Sequence, residues 1–350
     1  MRLFSTEQVS KWHPDKYADQ ISDAILDECL RQDPRSRVAC ECMVKGTTVI
    51  LAGEITTKAK IDYAEVVKKV AKKLNYKVDE VLCFIDKQSP EIAQGVDGGE
   101  ELGAGDQGMM YGYATRETMS RLPFGFDLAN RIIRAIENDV EYNRDTVFQG
   151  DAKCQVTVDL DVDPTMDSVK KILVSACHKP SESVDTVRAC VREILWELGV
   201  PLTQVEVIVN PAGAWTIGGP AADCGLTGRK IVCDQYGGYC PVGGGAFSGK
   251  DPSKVDRSGA YMARAIAREV VDFFDVEWAE VQIAYAIGQA EPMSVSVKTD
   301  ADRVCNEIAT EWVRGKFDLT PAGIIEELNL LGRKYERLAE GCHYRQGGNE

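Results

Sequence analysis

The stretch VACECMVKGTTVILAGEITT, residues 38–57, sets the pattern from which the fold can be read. Its two apolar halves, 38–44 and 48–57, are separated by Lys45-Gly46-Thr47, which predicts two strands joined by a tight turn. Apolar residues at helical spacing over 61–74 predict a helix, and VLCFID at 81–86 is typical of a short buried strand. The unit is therefore strand, strand, helix, strand.

This order of elements recurs along the chain. Strands at 154–160 and 171–178, a helix over 184–198 and a strand at 205–210 make a second copy. A third, weaker copy has strands at 281–288 and 293–298 and a helix near 302–314. Three sheets, each covered by helices, predict an α+β protein built from three structurally similar sheet-plus-helix units.

Length and composition limit the class of protein. The 350 residues suffice for two or three modest domains, and 44% apolar with 27% charged residues is typical of a globular chain. The absence of a long apolar run or a signal peptide favours a cytoplasmic location. The formal net charge of −14 repels nucleic acid and anionic membranes, so neither is expected as a partner.

Cysteine and histidine content narrows the chemistry. The 12 cysteines include no C-x-x-C pair, which argues against zinc-ribbon and redox motifs and favours buried free thiols. His13, His178 and His343 are the only histidines and no G-x-S-x-G motif occurs, so a nucleophile–histidine triad is not expected. The chemistry should rest on carboxylates, lysines and arginines.

The segment GGGAFSGKDPSKVDRS, residues 243–258, contains G-x-x-x-x-G-K, but Asp251 stands where a P-loop has the Ser or Thr that holds Mg²⁺. No buried strand immediately precedes the glycines, so a true P-loop is not expected. Its glycines let backbone amides approach an anion, Lys250 and Lys254 add cations, and Asp256 adds a second carboxylate. This mixture fits phosphates that arrive with a divalent cation; the alternative is a solvated turn that caps the next helix.

The segment WHPDKYADQISDAIL, residues 12–26, predicts a helix with Pro14 in its first turn. Asp15, Asp19 and Asp23 fall four apart and therefore share one face. Together with His13, this start offers a ring nitrogen, a hard oxygen ligand and an ammonium group within four residues. Acids in a first turn can also serve only to complement the helix dipole, so both interpretations stay open.

Other candidates are weaker when taken singly. Asp106 lies among glycines in GAGDQGMMYGY, residues 103–113, where it could simply be a turn residue. Lys153 and the pair Arg229-Lys230 put cations at strand starts, although most surface lysines have no special role.

Glu41 and Glu54 interrupt apolar strands. They either point outward from a half-exposed sheet or meet a metal ion or a cationic substrate, because an unpaired buried carboxylate is costly. Trp215, in a glycine-rich stretch, is either a core residue or a platform on which a base can stack.

Taken together, these motifs resemble those of the S-adenosylmethionine synthetase (methionine adenosyltransferase) family. GAGDQGMMYGY and GGGAFSGKD look like its two signature motifs, and the resemblance runs from Phe4 to about Leu331. The other matching segments follow in the family's order: HPDK, GEITT, KQSPEIAQGVD, GDAKCQV, IGGPAADCGLTGRK and DPSKVDRSGAY.

The resemblance implies a reaction between ATP and L-methionine. The thioether sulfur attacks C5′ of the ribose and displaces triphosphate, which is then hydrolysed to diphosphate and phosphate. A thioether carries no proton, so the first step needs alignment and charge stabilisation rather than a general base.

The resemblance also implies roles for individual residues. Catalytic roles fall on His13, Lys153, Arg229 and Lys250. ATP is expected to contact His13, Asp151, Lys153, Trp215, Asp223, Arg229, Lys230, Ala246 and Lys250. Methionine is expected to contact Glu54, Gln88, Asp106, Asp223 and Lys254. Asp15 and Asp256 are expected to hold Mg²⁺, with two ions per site, and Glu41 is expected to support K⁺.

For the architecture, the resemblance implies three similar α+β domains in a pseudo-threefold arrangement with interleaved segments, divided in sequence at about 1–100, 101–219 and 220–350. It implies a homodimer or homotetramer with the active site between subunits. Residues 89–105 resemble the family's mobile gate, expected to be poorly ordered without ligand.

The sequence departs from the family pattern at several positions. Trp12 stands where the family usually has Gly, where its ring could crowd the triphosphate or face solvent, and Val242 stands where it usually has His. Two alternatives to synthesis of S-adenosylmethionine therefore stay open. One is another nucleotide-dependent transferase or kinase on this scaffold, and the other is a non-catalytic homologue in which Trp12 blocks chemistry.

Overall fold

The structure is a computed structural model, and it describes residues 1–87 and 102–345. Gln88 and most of the predicted gate, 89–105, lie outside the described residues. The strands are β1 Leu3–Val9, β2 Arg37–Lys45, β3 Thr48–Thr56, β4 Glu80–Asp86, β5 Gly108–Thr115, β6 Phe148–Asp159, β7 Val169–His178, β8 Glu206–Val209, β9 Gly225–Leu226, β10 Trp278–Tyr285 and β11 Ser294–Thr299.

Helices lie between most of these strands. They are α1 Pro14–Gln32, α2 Tyr63–Lys73, α3 Phe124–Tyr142, α4 Val184–Glu197, α5 Gly219–Ala222, α6 Ile231–Asp234, α7 Val255–Phe273, α8 Arg303–Lys316, α9 Pro321–Glu327 and α10 Tyr335–Leu338. Short 3₁₀ turns cover Met166–Ser168 and Leu330–Gly332. None of the helices in the described ranges has the length and apolar character needed to cross a membrane.

The strands form three sheets, ordered β1-β6-β7-β8, β5-β10-β11 and β9-β2-β3-β4. In each sheet a hairpin is joined by a strand from a distant part of the sequence. These added strands, β1, β5 and β9, pair antiparallel with β6, β10 and β2. The predicted α+β class, the threefold repetition and the interleaving are therefore confirmed.

The copies differ where the sequence signal is weakest. After β7 and after β3, a helix leads back to a strand that runs parallel to the second strand of the hairpin, β8 and β4 respectively. The third hairpin, β10–β11, is followed by α8, and no returning strand joins it within the described residues. This accounts for the weaker third copy.

The hairpin over residues 38–57 forms as predicted, with Lys45 opposite Thr48 and Gly46 in the left-handed region at φ +60°. One face of β2 and β3 is buried against helices and the other face is open. The prediction that β4 is buried is wrong, because Leu82 is 37% exposed and Phe84 is 64% exposed. Strand β4 is an edge strand whose outward side chains extend the open face.

Three helices of equal length, α1, α3 and α7, each span 19 residues and each precede a hairpin. Helices α1, α2 and α7 pack with the second and third sheets in one core, whereas α3 and α4 pack on the first sheet in another. Helix α1 is buried on all sides over residues 14–26. Its polar side chains must therefore find partners inside the protein.

Candidate active site

The site begins where α1 starts. Pro14 occupies the first helical turn and His13 is the N-cap, whose Nδ1 accepts the backbone N–H of Asp15 at 3.1 Å. Burial, followed by the charges of Lys230 and Lys153, lowers the pKa of His13 to about 3. The ring is therefore neutral at pH 7, and since Nδ1 accepts a hydrogen bond, its proton is on Nε2.

Asp15 pairs with one of the predicted phosphate-binding lysines. Its Oδ2 lies 2.5 Å from Lys230 Nζ, and its Oδ1 accepts the backbone N–H of Leu226 at 3.0 Å. Burial opposes ionisation, but the hydrogen bonds from Lys230 and Leu226 hold the pKa of Asp15 below its usual value. The carboxylate is thus charged and in contact with a cation.

A second pair repeats this arrangement in the glycine loop. Lys250 Nζ lies 2.5 Å from Asp256 Oδ2, and both side chains are mostly buried. Gly245 is required beside this pair, because a Cβ there would lie 2.3 Å from the Asp256 carboxylate. Each predicted Mg²⁺ ligand is therefore held beside a predicted phosphate-binding lysine.

Asp251, the residue that departs from the P-loop pattern, has a structural role. It is buried, and its carboxylate accepts the backbone N–H groups of Val38 at 2.6 Å and Ser253 at 3.0 Å. Its Oδ2 also lies 2.5 Å from Lys254 Nζ. Asp251 thus fastens the loop to β2 and holds the ammonium end of the Lys254 side chain.

The two cation-bearing loops touch each other. Gly228, at φ +78°, faces Ala246, and a Cβ on Gly228 would lie 2.5 Å from the Cβ of Ala246. Arg229 follows Gly228 directly and is exposed, and its guanidinium group has no hydrogen bond or ion pair in the described part of the chain. The loop that carries Arg229 and Lys230 is therefore contiguous with the loop that carries Lys250.

A cavity of ≈ 500 Å³ joins this region to the open sheet face. The strand register aligns Ala39, Glu54 and Asp86 across three strands. The lining residues are Arg37, Ala39, Glu54, Asp86, Lys87, Gly105, Asp106, Lys250, Lys254 and Asp256. Four other residues predicted for the site, Asp106, Lys250, Lys254 and Asp256, thus line the same cavity as Glu54.

Arg37, Asp86 and Lys87 line this cavity but were not predicted from the sequence. A usable signal existed for two of them. Arg37 precedes Ala39 by two residues on β2, so the two side chains share a face, and Asp86 ends the β4 strand beside Glu54. The strand alternation alone would have placed both residues at the edge that Glu54 occupies.

The glycine-rich stretch that precedes α5 lies against Asp151. The Asp151 Oδ2 atom accepts the backbone N–H of Gly219 at 2.7 Å, while its buried Oδ1 has no hydrogen-bond partner among the described residues. Burial raises the pKa of Asp151 to about 6. An orphaned carboxylate oxygen of this kind is a vacant acceptor for a ligand hydroxyl or amine.

Trp215 is held by its backbone rather than buried in the core. Its N–H donates to His178 Nε2 at 3.2 Å, and its C=O accepts the His178 N–H at 2.9 Å. The indole N–H donates to Ile217 O at 2.7 Å and the ring stays partly exposed. Lys153 and Asp223 are also exposed, and their charges reach both His13 and Asp151.

Trp12 neither crowds the two cation-bearing loops nor faces solvent. The ring is 5% exposed and its indole N–H donates to Leu74 O at 3.1 Å. It packs on Gly150, where a Cβ would lie 2.5 Å from the ring. Tyr76 donates its hydroxyl to Trp12 O at 2.5 Å. The larger side chain is thus accommodated as a core residue between α2 and β6.

No group of three or more His, Cys, Asp and Glu side chains in the described ranges forms a ready metal cage. Asp15 and Asp256 nevertheless fit Mg²⁺, which in nucleotide sites takes one or two carboxylates and completes its shell with phosphate oxygens and water. Glu41 lies apart from them on the open sheet face, where it is exposed. Both strand acids, Glu41 and Glu54, thus point outward.

Comparison with known proteins covers almost the whole chain. Models of the S-adenosylmethionine synthetase N-terminal, central and C-terminal domains match residues 1–97, 101–215 and 217–349. A solved structure of an S-adenosylmethionine synthetase from Campylobacter jejuni, described as unusual, is similar with a TM-score of 0.88. The two chains are 32% identical, and the match covers 99% of this chain and 97% of that one.

These matches define an ATP-dependent transferase on a three-sheet α+β scaffold. The chain belongs to the S-adenosylmethionine synthetase family, which confirms the resemblance inferred from its motifs. Its activity is that of an ATP:L-methionine S-adenosyltransferase, with ATP and methionine as substrates. Enzymes of this family need a divalent metal ion and K⁺.

Proposed function

We propose that the Asp15–Lys230 and Asp256–Lys250 pairs form the polyphosphate site of this transferase. The observation that carries the proposal is the direct contact between a carboxylate and a lysine in each of two loops that touch each other. Either lysine can turn to phosphate oxygens while its carboxylate turns to a metal ion. Lys153 and the unpaired Arg229 would supply further positive charge.

In this proposal Asp15 and Asp256 each hold a Mg²⁺ ion, giving two ions per site. Mg²⁺, when bound, supplies positive charge that neutralises part of the triphosphate. Glu41 would support K⁺ only with further oxygen ligands, because in this chain it stands exposed on the sheet.

His13 would act on the leaving group as a hydrogen-bond donor. In the transfer step the sulfur–C5′ bond forms as the C5′–O bond breaks, and the electron pair leaves with the triphosphate oxygen. No proton has to move, so a neutral imidazole with its proton on Nε2 is suited to stabilise the departing oxygen. The low pKa of His13 keeps it in that form across the physiological range.

The nucleoside and methionine would lie next to each other beside the phosphate loops, because the sulfur has to reach C5′. Asp151 and Asp223 would contact the nucleoside, Ala246 would line the ATP site, and the Trp215 ring would stack on adenine. Methionine would lie in the cavity that contains Glu54, Asp106 and Lys254, with Asp223 and Gln88 as further contacts. Acids there suit the methionine ammonium group and Lys254 suits its carboxylate.

A homodimer, alone or as half of a tetramer, would complete this cavity. The open face of the β2–β3–β4 sheet carries exposed Met43, Leu82 and Phe84 beside Glu54 and Asp86. Apolar side chains grouped on an uncovered face are typical of protein–protein interfaces. A second copy packed there would cover the cavity mouth and place the active site between subunits.

Size-exclusion chromatography with light scattering tests the dimer. Phe84→Glu should give monomers and abolish turnover. Trp196→Glu is the matched control, since Trp196 is 70% exposed on α4, which packs on a different sheet. A dimeric and active Phe84→Glu variant would exclude this face as the interface.

Product analysis tests the chemistry. With ATP, L-methionine, Mg²⁺ and K⁺, the enzyme should form S-adenosylmethionine, diphosphate and phosphate in equal amounts. Lys250→Ala should lower kcat by about 10²–10³-fold, the usual effect of removing one donor to developing charge. Lys69→Ala, at an exposed lysine of α2, is the control. An unchanged kcat for Lys250→Ala would contradict the assignment of that lysine.

A further inference from the structure

Helix α1 carries a ladder of carboxylates that reaches beyond the residues assigned to the reaction. Asp15, Asp19, Asp23 and Asp27 are four residues apart and lie on one side of the helix. Each accepts backbone N–H groups from a segment far away in sequence. The donors are Leu226 to Asp15 at 3.0 Å, Gly228 to Asp19 at 2.8 Å, Gly249 to Asp23 at 2.8 Å, and Tyr335 and Glu336 to Asp27 at 2.9 and 3.1 Å.

The third carboxylate of the ladder fixes the backbone on both sides of Lys250. Asp23 accepts the Gly249 N–H and also accepts hydrogen bonds from the two terminal guanidinium nitrogens of Arg257, at 2.8 and 2.5 Å. The same guanidinium donates to Lys250 O at 3.0 Å. Gly249 sits at φ +82°, and a Cβ there would lie 1.9 Å from Cys40 O. The starting direction of the Lys250 side chain is therefore tightly set.

The second carboxylate of the ladder, Asp19, fixes the backbone of the loop that carries Arg229 and Lys230. Asp19 is fully buried and holds the N–H of Gly228, the residue directly before Arg229 and Lys230. Lys16 Nζ lies 2.9 Å from Asp19 Oδ2 and 2.5 Å from Asp234 Oδ1. Lys16 therefore keeps one carboxylate partner even when Asp19 is removed.

We propose that Asp19 and Asp23 are positioning residues of the transferase, acting through the loops they hold and never touching substrate. The proposal rests on the polyphosphate site proposed above. One helical turn separates the two carboxylates, about 6 Å at 1.5 Å per residue. Helix α1 thus fixes the spacing between the Arg229–Lys230 cations and Lys250, and a cation misplaced by about 1 Å can lower the rate 10²-fold.

The competing explanation is that these acids only neutralise buried Lys16 and Arg257. The ladder contains its own control, because Asp27 has the same spacing and the same kind of backbone contacts. It holds the N-terminus of α10, which carries none of the proposed phosphate contacts. Loss of Asp27 therefore reports the effect of removing a ladder carboxylate without touching either phosphate loop.

The experiment compares Asp19→Ala, Asp19→Asn and Asp27→Ala in the full chain, at a temperature where each is folded by circular dichroism. Calorimetry measures binding of tripolyphosphate with Mg²⁺, and kinetics give kcat and KM. Asp19→Ala should lose about 10–100-fold in kcat and in tripolyphosphate affinity. Asp19→Asn, which restores an acceptor for Gly228, should recover most of both. Asp27→Ala should change stability and stay within about twofold in both readouts.

Two results would overturn the proposal. One is an Asp19→Ala enzyme with wild-type kcat and tripolyphosphate affinity, and the other is equal losses in Asp19→Ala and Asp27→Ala. Asp23→Ala serves as the second variant should Asp19→Ala not fold, with the same expected losses, and Asp23→Asn, which restores an acceptor for Gly249, should recover most of them. Lys230→Ala separates the two proposals. If the unaltered chain binds tripolyphosphate and Lys230→Ala does not, the polyphosphate site stands whatever the ladder variants do; if the unaltered chain does not bind, both proposals fail.

Discussion

Replacing Asp256 by asparagine should change the affinity for tripolyphosphate in opposite directions with and without Mg²⁺. Lys250 Nζ lies 2.5 Å from Asp256 Oδ2. In the proposed site, phosphates arriving without Mg²⁺ would have to take Lys250 away from this carboxylate. Mg²⁺ would bind the carboxylate and so leave Lys250 to the phosphates.

The size of the effect follows from that contact. A hydrogen bond to a charged group contributes about 1.5–3 kcal/mol, and Lys250 and Asp256 are only 23% and 15% exposed, so screening by water is limited. Asp256→Asn removes that competition. The affinity for metal-free tripolyphosphate should therefore rise about 10–150-fold, at 1.4 kcal/mol per factor of ten. In excess Mg²⁺ the same variant should bind more weakly than the wild type.

Isothermal titration calorimetry in EDTA and in excess Mg²⁺ measures both affinities on one preparation. Glu206→Gln is the matched control. Glu206 pairs with Lys171 at 2.7 Å, and both side chains are about half exposed. The pair lies on β7 and β8, whereas Lys250 adjoins β2 of a different sheet. Weaker binding of Asp256→Asn under both conditions, or no change in EDTA, would refute the reasoning that the lysine and the carboxylate exchange partners.

Two further predictions concern stability. Trp12→Phe should lose about 1 kcal/mol with the hydrogen bond to Leu74, and Trp12→Ala about 3–5 kcal/mol, both with wild-type kcat where folded. Urea unfolding and steady-state rates check this, and loss of turnover in a stable Trp12→Phe would place the ring in the site. Burial raises the pKa of Asp27 from 3.8 to about 6, so the native state binds this proton more tightly than the unfolded chain. This tighter binding stabilises the native state by about 3 kcal/mol below about pH 4, and the stabilisation is lost as pH rises through 6. Asp27→Asn should therefore reduce the pH dependence of the unfolding free energy in urea by about the same amount.

Local elements of the fold could be predicted because their signals are local. The hairpin at 38–57 combines two apolar runs with a glycine turn, and the start of α1 combines Pro14 with a capping side chain. Burial of β4 could not be read in the same way, since VLCFID looks alike on a covered and an uncovered face. The two-residue strand β9, Gly225–Leu226, is too short to carry any periodic signal.

In the site too, features with a local sequence signal could be predicted, and features that depend on contacts distant in sequence could not. The four-residue spacing of Asp15, Asp19 and Asp23 is visible in the sequence, but their partners lie about two hundred residues away, so the ladder emerges only from the fold. Asp251 shows the opposite case. The sequence showed only that Asp251 departs from the P-loop pattern, whereas burial and its contact with the Val38 N–H make it a structural anchor.

The interleaved strands also constrain the order in which the protein can be made. Strand β1 ends at Val9, but its partner β6 begins at Phe148, and β9 reaches β2 only after residue 225 has been synthesised. At about 5–20 residues per second, the first strand waits on the order of ten seconds or more on the ribosome for its partner. None of the three sequence segments 1–100, 101–219 and 220–350 therefore contains a finished sheet of its own. A nascent chain stopped before residue 225 leaves the β2 edge unpaired and open to other chains. Completion of two of the three sheets, like completion of the proposed site, depends on the last third of the chain.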